Sequence, residues 1–213
     1  MDPTDLWRYV VASQWQRINQ EESFVGRTSE VNAELGSRIV AARQLREMMH
    51  LCCLVDRQYP PYSKWLETSF ARLDVGDSLL PLMLSVTSAD DFPVREQALG
   101  EIYERVAALH NASGLSSPVD PRLQYFHDRP FRVLNSYRFV DATREAIHSP
   151  QLRSMPLHGC ISQCVDSTDV LASGSASHRF STVLGAVEGS MAASPVAPLP
   201  AARLGSRRRG VEG

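Results

Sequence analysis

Apolar residues return every three or four positions through most of the first 150 residues, and prolines and capping residues cut that pattern into separate stretches. This periodicity places one apolar face on each of several helices and leaves no room for the two-residue alternation of a sheet. Leu6, Trp7, Val10, Val11, Trp15 and Ile18 follow Pro3, a residue suited to a first helical turn, so a helix is predicted over about 4–21. After Gly26, Thr28 and Ser29 are capping candidates ahead of Val31, Leu35, Ile39, Ala42, Leu45, Met49, Cys52 and Val55. That stripe predicts one helix of about seven or eight turns. It stops at Tyr59-Pro60-Pro61, because proline lacks an N–H and restricts the residue before it.

A third helix is predicted from Pro61 through Trp65, Leu66, Phe70 and Leu73, and a shorter one from Leu79 to Val86. Asp91-Phe92-Pro93 restarts the pattern, and Val94, Leu99, Ile102, Val106 and Leu109 carry it to Asn111-Ala112-Ser113-Gly114. Glu101 and Arg105 form an i,i+4 pair on its outer side. Pro118 to Arg132 holds three prolines and little periodicity, which predicts an ordered loop wrapping the bundle. A further helix is expected over about Ser136 to Ile147, with Phe139, Val140 and Ile147 on its inner face. The fold class is all-α, an antiparallel helical bundle over residues 1–171. Residues 172–213 differ in character: 24 of these 42 are Ala, Gly, Ser or Pro, and the expectation is a disordered low-complexity tail.

Charge narrows the partners. The chain carries 22 Lys plus Arg against 24 Asp plus Glu, a net of −2, and residues 1–150 carry 16 basic and 20 acidic side chains, or −4. No basic field is present, so nucleic acid and membrane surfaces are not expected partners. No run approaches the roughly 18 apolar residues of a membrane span, and Met1-Asp2-Pro3-Thr4-Asp5 does not open a secretory signal. The four cysteines fall as Cys52-Cys53 and Cys160-x3-Cys164, without the spread of a disulfide framework, which points to a reducing cytoplasm.

Several stretches combine residues able to do chemistry. Tyr59-Pro60-Pro61-Tyr62-Ser63-Lys64-Trp65-Leu66 sets the only lysine beside aromatic rings at a helix start, where a cation and backbone N–H groups meet a phosphate; the competing reading is core aromatics beside a solvated charge. Arg105 and His110 have the R-x4-H spacing of helical HEPN ribonucleases, but five helical positions are roughly 140° apart on the wheel and do not share a face. His127-Asp128 is similar to the metal pair of HD phosphohydrolases, yet it sits in a loop without further ligands. His158, Cys160 and Cys164 are soft ligands lacking a fourth, and Cys52 and Cys53 read as packing. Asp166 and Asp169, three apart with hydroxyls between, suit Mg²⁺ with phosphates on one helical face, against the simpler use of Asp166, Ser167 or Thr168 as a helix cap.

Phe24-Val25-Gly26-Arg27, Glu34-Leu35-Gly36-Ser37-Arg38, Tyr62-Ser63-Lys64-Trp65-Leu66, Leu109-His110-Asn111, Arg129-Pro130-Phe131-Arg132-Val133 and Asp166-Ser167-Thr168-Asp169-Val170-Leu171 act as a set. Together they resemble the domain-of-unknown-function family 4037, the helical C-terminal part of bacterial nucleotidyltransferase-like proteins, over about residues 1–171. The second long helix with the turn after it is also similar to the helical half of aminoglycoside (kanamycin-type) nucleotidyltransferases. The resemblance implies a mixed α/β catalytic domain in which a Gly-Ser element and an Asp-x-Asp or Asp-x-Glu pair hold Mg²⁺ for transfer of a nucleoside monophosphate. Gly174-Ser175 is followed by no such pair, and no βαβ-like stretch precedes the first helix.

The expectation is therefore a helical nucleotide- or substrate-binding domain that is not catalytic alone, with Mg²⁺ and a nucleoside triphosphate belonging to a longer protein and no cofactor expected for this chain. By that likeness Tyr62 and Lys64 are candidates for triphosphate or base contact, and His110, Asn111 and Arg129 for the acceptor, a nucleotide or other small molecule. The likeness begins close to Met1 and ends after Leu171, as for a remnant of a larger enzyme with a tail read in a shifted frame. Two alternatives stand beside it: an all-α module pairing with a separate catalytic or antitoxin subunit, and a HEPN-like ribonuclease using Arg105 and His110.

Overall fold

Asp2 starts the first helix, its carboxylate accepting the Thr4 N–H at 2.8 Å with Pro3 in the first turn. The resulting α1 runs Pro3–Glu21 in a computed structural model that describes residues 2–180. The chain continues through α2 (Phe24–Glu30), α3 (Glu34–Val55), α4 (Ser63–Phe70), α5 (Gly76–Ser88) and α6 (Phe92–Ala112). A two-stranded antiparallel hairpin follows, β1 (Gln124–Tyr125) with β2 (Arg132–Val133), in which Gln124 faces Val133 and Tyr125 faces Arg132. Then come α7 (Tyr137–Glu145), α8 (Pro150–Ser154), α9 (Ile161–Cys164) and α10 (Thr168–Leu171). Residues 174–180 are helical as well, and the rest of the stretch expected as a tail lies outside the described residues.

The all-α expectation holds. α1 lies between α3 and α7, while α6 backs both α3 and α5. Trp15, Ile18, Met48, Leu51, Phe70, Leu79, Ile102 and Phe139 are fully buried where these helices meet. Each such side chain contributes roughly 1.5–3 kcal/mol of apolar burial, which is what holds helices of ordinary propensity together. Asp91 caps α6 as the sequence indicates, accepting the Val94 N–H at 3.0 Å. The loop before β1 is ordered: the Asn111 side chain clips it by donating to the Val119 carbonyl at 2.7 Å and accepting the Val119 N–H at 3.0 Å.

The predicted second helix is two. Asn32 adopts a left-handed φ of 57°, which breaks the chain between α2 and α3. Thr28 does not cap α3; its hydroxyl donates back to the Phe24 carbonyl at 2.7 Å inside α2. The face of α3 also differs from the predicted stripe. Leu35 and Ile39 are 72% and 54% exposed, whereas Ser37 and Gln44 are buried. The first half of α3 docks through polar pairs instead: Ser37 donates to the Val25 carbonyl at 3.0 Å and accepts from the fully buried Arg95 at 2.9 Å, and Gln44 accepts the Tyr103 hydroxyl at 2.7 Å.

Candidate functional site

Arg46, His50 and Leu54 stand four apart on α3, so they share one face of its last turns. α3 ends at Val55, with Arg57 in a left-handed φ of 61°, and Pro60 and Pro61 then lead to Tyr62, in extended backbone, which precedes α4. Opposite them the segment of α9 and α10 closes back against α1. Between these three pieces lies a cleft of about 430 Å³, bordered by Arg46, His50, Tyr62, Trp65, Cys160 and Asp166 among others. Tyr62 and Trp65 present exposed rings to it.

A buried polar network lies behind Arg46 and Gln163 of the cleft wall. Glu47 accepts Gln14 Nε2 at 2.7 Å and Arg17 Nε at 3.1 Å on Oε2, and Arg46 Nη1 at 2.8 Å on Oε1. Gln163 of α9 reaches in, donating to Gln14 Oε1 and to the Val10 carbonyl, both at 3.0 Å. Burial works to raise the Glu47 carboxyl, yet the hydrogen bond and charge of Arg17, with help from Gln14, hold it below its ordinary value. Arg46 carries the network to the cleft through Asp166, which accepts its Nη2 at 2.6 Å. Asp166 itself is 75% exposed on its side chain, so this ion pair faces solvent.

The sequence candidates separate. Tyr62 and Asp166 border the cleft. Lys64 is exposed and does not line the cleft; its ammonium sits 5.4 Å from the centroid of the Trp65 ring, which does. Asp169 is exposed in the first turn of α10, whereas Asp166 precedes that helix, so the two carboxylates do not share a helical face. Among the described residues no three His, Cys, Asp or Glu side chains gather as a metal site. Arg129 is remote, paired with Glu30 at 3.3 Å, and Asn111 is the loop clip already described.

His110 belongs to the core. Its Nδ1 accepts the Trp15 indole N–H at 3.1 Å and its Nε2 meets the Ser116 hydroxyl at 3.0 Å. Burial lowers its imidazole to about 4. Arg105 points outward, paired with Glu101 as predicted and donating to the Ser78 carbonyl at 3.3 Å, so it does not join His110 in one site. Cys52 and Cys53 are fully buried free thiols, and burial pushes the Cys53 thiol up to about 11.

The residues that sequence reasoning missed are Arg46 and His50, an i,i+4 pair of ordinary composition, and Gln163. Only the return of residues 160–171 onto α3 marks them, and no local pattern shows that return. No helix of the described residues is long and apolar enough to cross a membrane.

The model of one family, a domain of unknown function (DUF4037), matches residues 1–66. The match spans α1, α2, α3 and the start of α4, and so includes the wall of the cleft from Arg46 to Trp65. Neither a curated protein nor a solved structure matches the chain.

Proposed function

We propose that the chain is a helical nucleotide- or substrate-binding domain of a nucleotidyltransferase-like protein, and that the cleft between α3, α4 and the α9–α10 segment receives the ligand. One observation carries this reading: two exposed aromatic rings, Tyr62 and Trp65, border the same 430 Å³ space as the Arg46 guanidinium. Aromatic faces stack on a planar base, and a guanidinium binds phosphate through paired N–H groups. Asp166 occupies Arg46 as a phosphate oxygen would, so a ligand phosphate replaces it charge for charge. Lys64, whose ammonium lies over the Trp65 ring, adds a second cation next to a residue of the cleft. The chemistry of transfer, with its Mg²⁺, belongs to a catalytic domain or subunit and not to these residues.

The test is a calorimetric titration of the full chain with ATP in the presence of Mg²⁺, alongside Trp fluorescence. Weak saturable binding that falls about tenfold or more in Arg46→Ala and by a smaller factor in Lys64→Ala is expected, in line with charge-assisted hydrogen bonds to phosphate. A folded protein that binds no ATP at millimolar concentration removes the reading.

The alternative of an all-α module that pairs with a separate catalytic or antitoxin subunit draws on the uncovered face of α3, where Leu35 and Ile39 stand exposed. It predicts that a Leu35→Ser, Ile39→Ser double variant loses a co-purifying protein that the wild-type chain retains. A wild-type chain that purifies alone as a monomer counts against it.

A further inference from the structure

Two buried histidines face opposite situations in this fold. His110 has a protein partner on each ring nitrogen, Trp15 and Ser116. His50 is 5% exposed, and among the described residues its ring nitrogens form no hydrogen bond to the protein, though neither nitrogen is fully shut off from the outside. Arg46 and Glu47 beside it bond within the protein. An imidazole nitrogen that meets no protein group but keeps access to the cleft is open to water or to a ligand. What little surface His50 keeps borders the cleft.

We infer that His50 determines what this cleft prefers, its imidazole hydrogen-bonding the polar edge of a heteroaromatic ring such as a nucleobase. The inference rests on the reading of the cleft as a nucleotide site and adds the group that reads the base.

The chemistry follows from position. His50 stands one turn beyond Arg46 on the same face of α3, so a ligand whose phosphates meet Arg46 extends its remaining length along that face. Burial is the main reason the imidazole stays neutral, and the positive charges of Arg46 and Arg17 act in the same sense against the opposing pull of Glu47 and Asp166. A neutral imidazole offers one donor and one acceptor. A nucleobase edge offers both in reach of each other, and Tyr62 and Trp65 supply faces for its ring. A metal role does not fit, because no further ligands gather at this position among the described residues.

The experiment compares ATP with inorganic triphosphate, each titrated calorimetrically into the full chain, so that the ratio of affinities isolates the base. Wild type is expected to favour ATP, and His50→Phe, which keeps an aromatic ring but no hydrogen bond, to lower the ratio about tenfold. His50→Gln restores a donor and an acceptor and should recover most of it. Circular dichroism establishes that each variant is folded. A ratio unchanged in His50→Phe overturns the inference, as does an equal loss in the Phe and Gln variants, which would mark packing in place of hydrogen bonding. Wild-type binding of triphosphate as tight as ATP removes the base-reading role while leaving the anion site standing. Absence of binding to either probe removes the nucleotide reading itself.

Discussion

The Trp15 indole N–H donates to Nδ1 of His110 at 3.1 Å, in a buried cluster where the Trp15 ring also stacks on Phe139 at 4.6 Å between centroids. As the acceptor in that bond, Nδ1 carries no proton, and protonation would break the contact at the centre of the α1, α6 and α7 packing. Burial lowers His110 from its ordinary 6.5 to about 4. The unfolded chain therefore takes up a proton near pH 6.5 that the folded chain refuses until about pH 4. The stability it contributes is present above pH 6.5 and is lost as pH falls toward 4, by at most about 3 kcal/mol for this one group. Urea unfolding followed between pH 7 and 4.5 should show the midpoint falling, and His110→Asn should flatten that fall. An equal pH dependence in the variant would place the titration elsewhere.

Glu22 behaves in the opposite sense. Its Oε1 accepts the Ser136 N–H at 3.0 Å while Oε2 is buried without a partner, and burial raises the carboxyl from 4.5 to about 7 against the pull of Ser136 and Arg138. The folded chain keeps this proton between pH 4.5 and 7 while the unfolded chain gives it up, so stability declines as pH rises across that window. Glu22→Gln keeps the acceptor for Ser136 and removes the charge. Its unfolding free energy should match wild type near pH 5 and exceed it by about 2 kcal/mol at pH 8. A variant less stable than wild type at pH 8 would show that the charged carboxylate is used in the fold.

Gly26 allows α2 to press against the hairpin. A methyl group at this position would lie 2.3 Å from Cγ of Phe131, which is itself buried and stacked on Phe126. Gly26→Ala should therefore destabilise the chain by about 1–3 kcal/mol, the range for overpacking, despite the better helix propensity of alanine. Pairing it with Phe131→Leu should return part of the loss, and a melting temperature unchanged in the single variant would show that Phe131 moves freely.

Much of the architecture was legible where the chain carries a discrete local signal. Pro3, and Asp91 with Pro93, mark helix starts by removing or capping a backbone donor, and the structure has its starts beside them, whereas α3 ends at Val55, ahead of the expected stop at Tyr59-Pro60-Pro61, because Arg57 turns left-handed. The turn at Asn32 was not legible, since nothing in an apolar period signals one left-handed residue. Leu35 and Ile39 matched the period and yet face outward, because the first half of α3 docks through Ser37, Gln44 and Arg95, polar groups that a hydrophobic pattern counts as surface. Tyr62 stood out from its aromatic and basic neighbours, and it borders the cleft. The cleft itself was not legible, because the opposite wall comes from a segment more than a hundred residues away, joined to α3 by the Arg46–Asp166 pair.

That pair separates two roles for Asp166. The sequence reading gives it to Mg²⁺ beside a phosphate, so that its loss weakens nucleotide binding. The structure shows it bonded to Arg46 at 2.6 Å, and under the proposed reading a phosphate competes for that guanidinium. A ligand must displace the carboxylate to reach the guanidinium, and the exposed Asp166 side chain returns to water at little cost. Asp166→Asn weakens the internal pair without changing its size, and removes a negative charge from the mouth of the cleft. ATP affinity should rise a few-fold, about what an exposed ion pair contributes, with the gain shrinking as salt is added. Calorimetry with and without Mg²⁺ decides between the roles: tighter binding in both conditions identifies a competitor for Arg46, whereas weaker binding confined to the Mg²⁺ condition identifies a metal ligand.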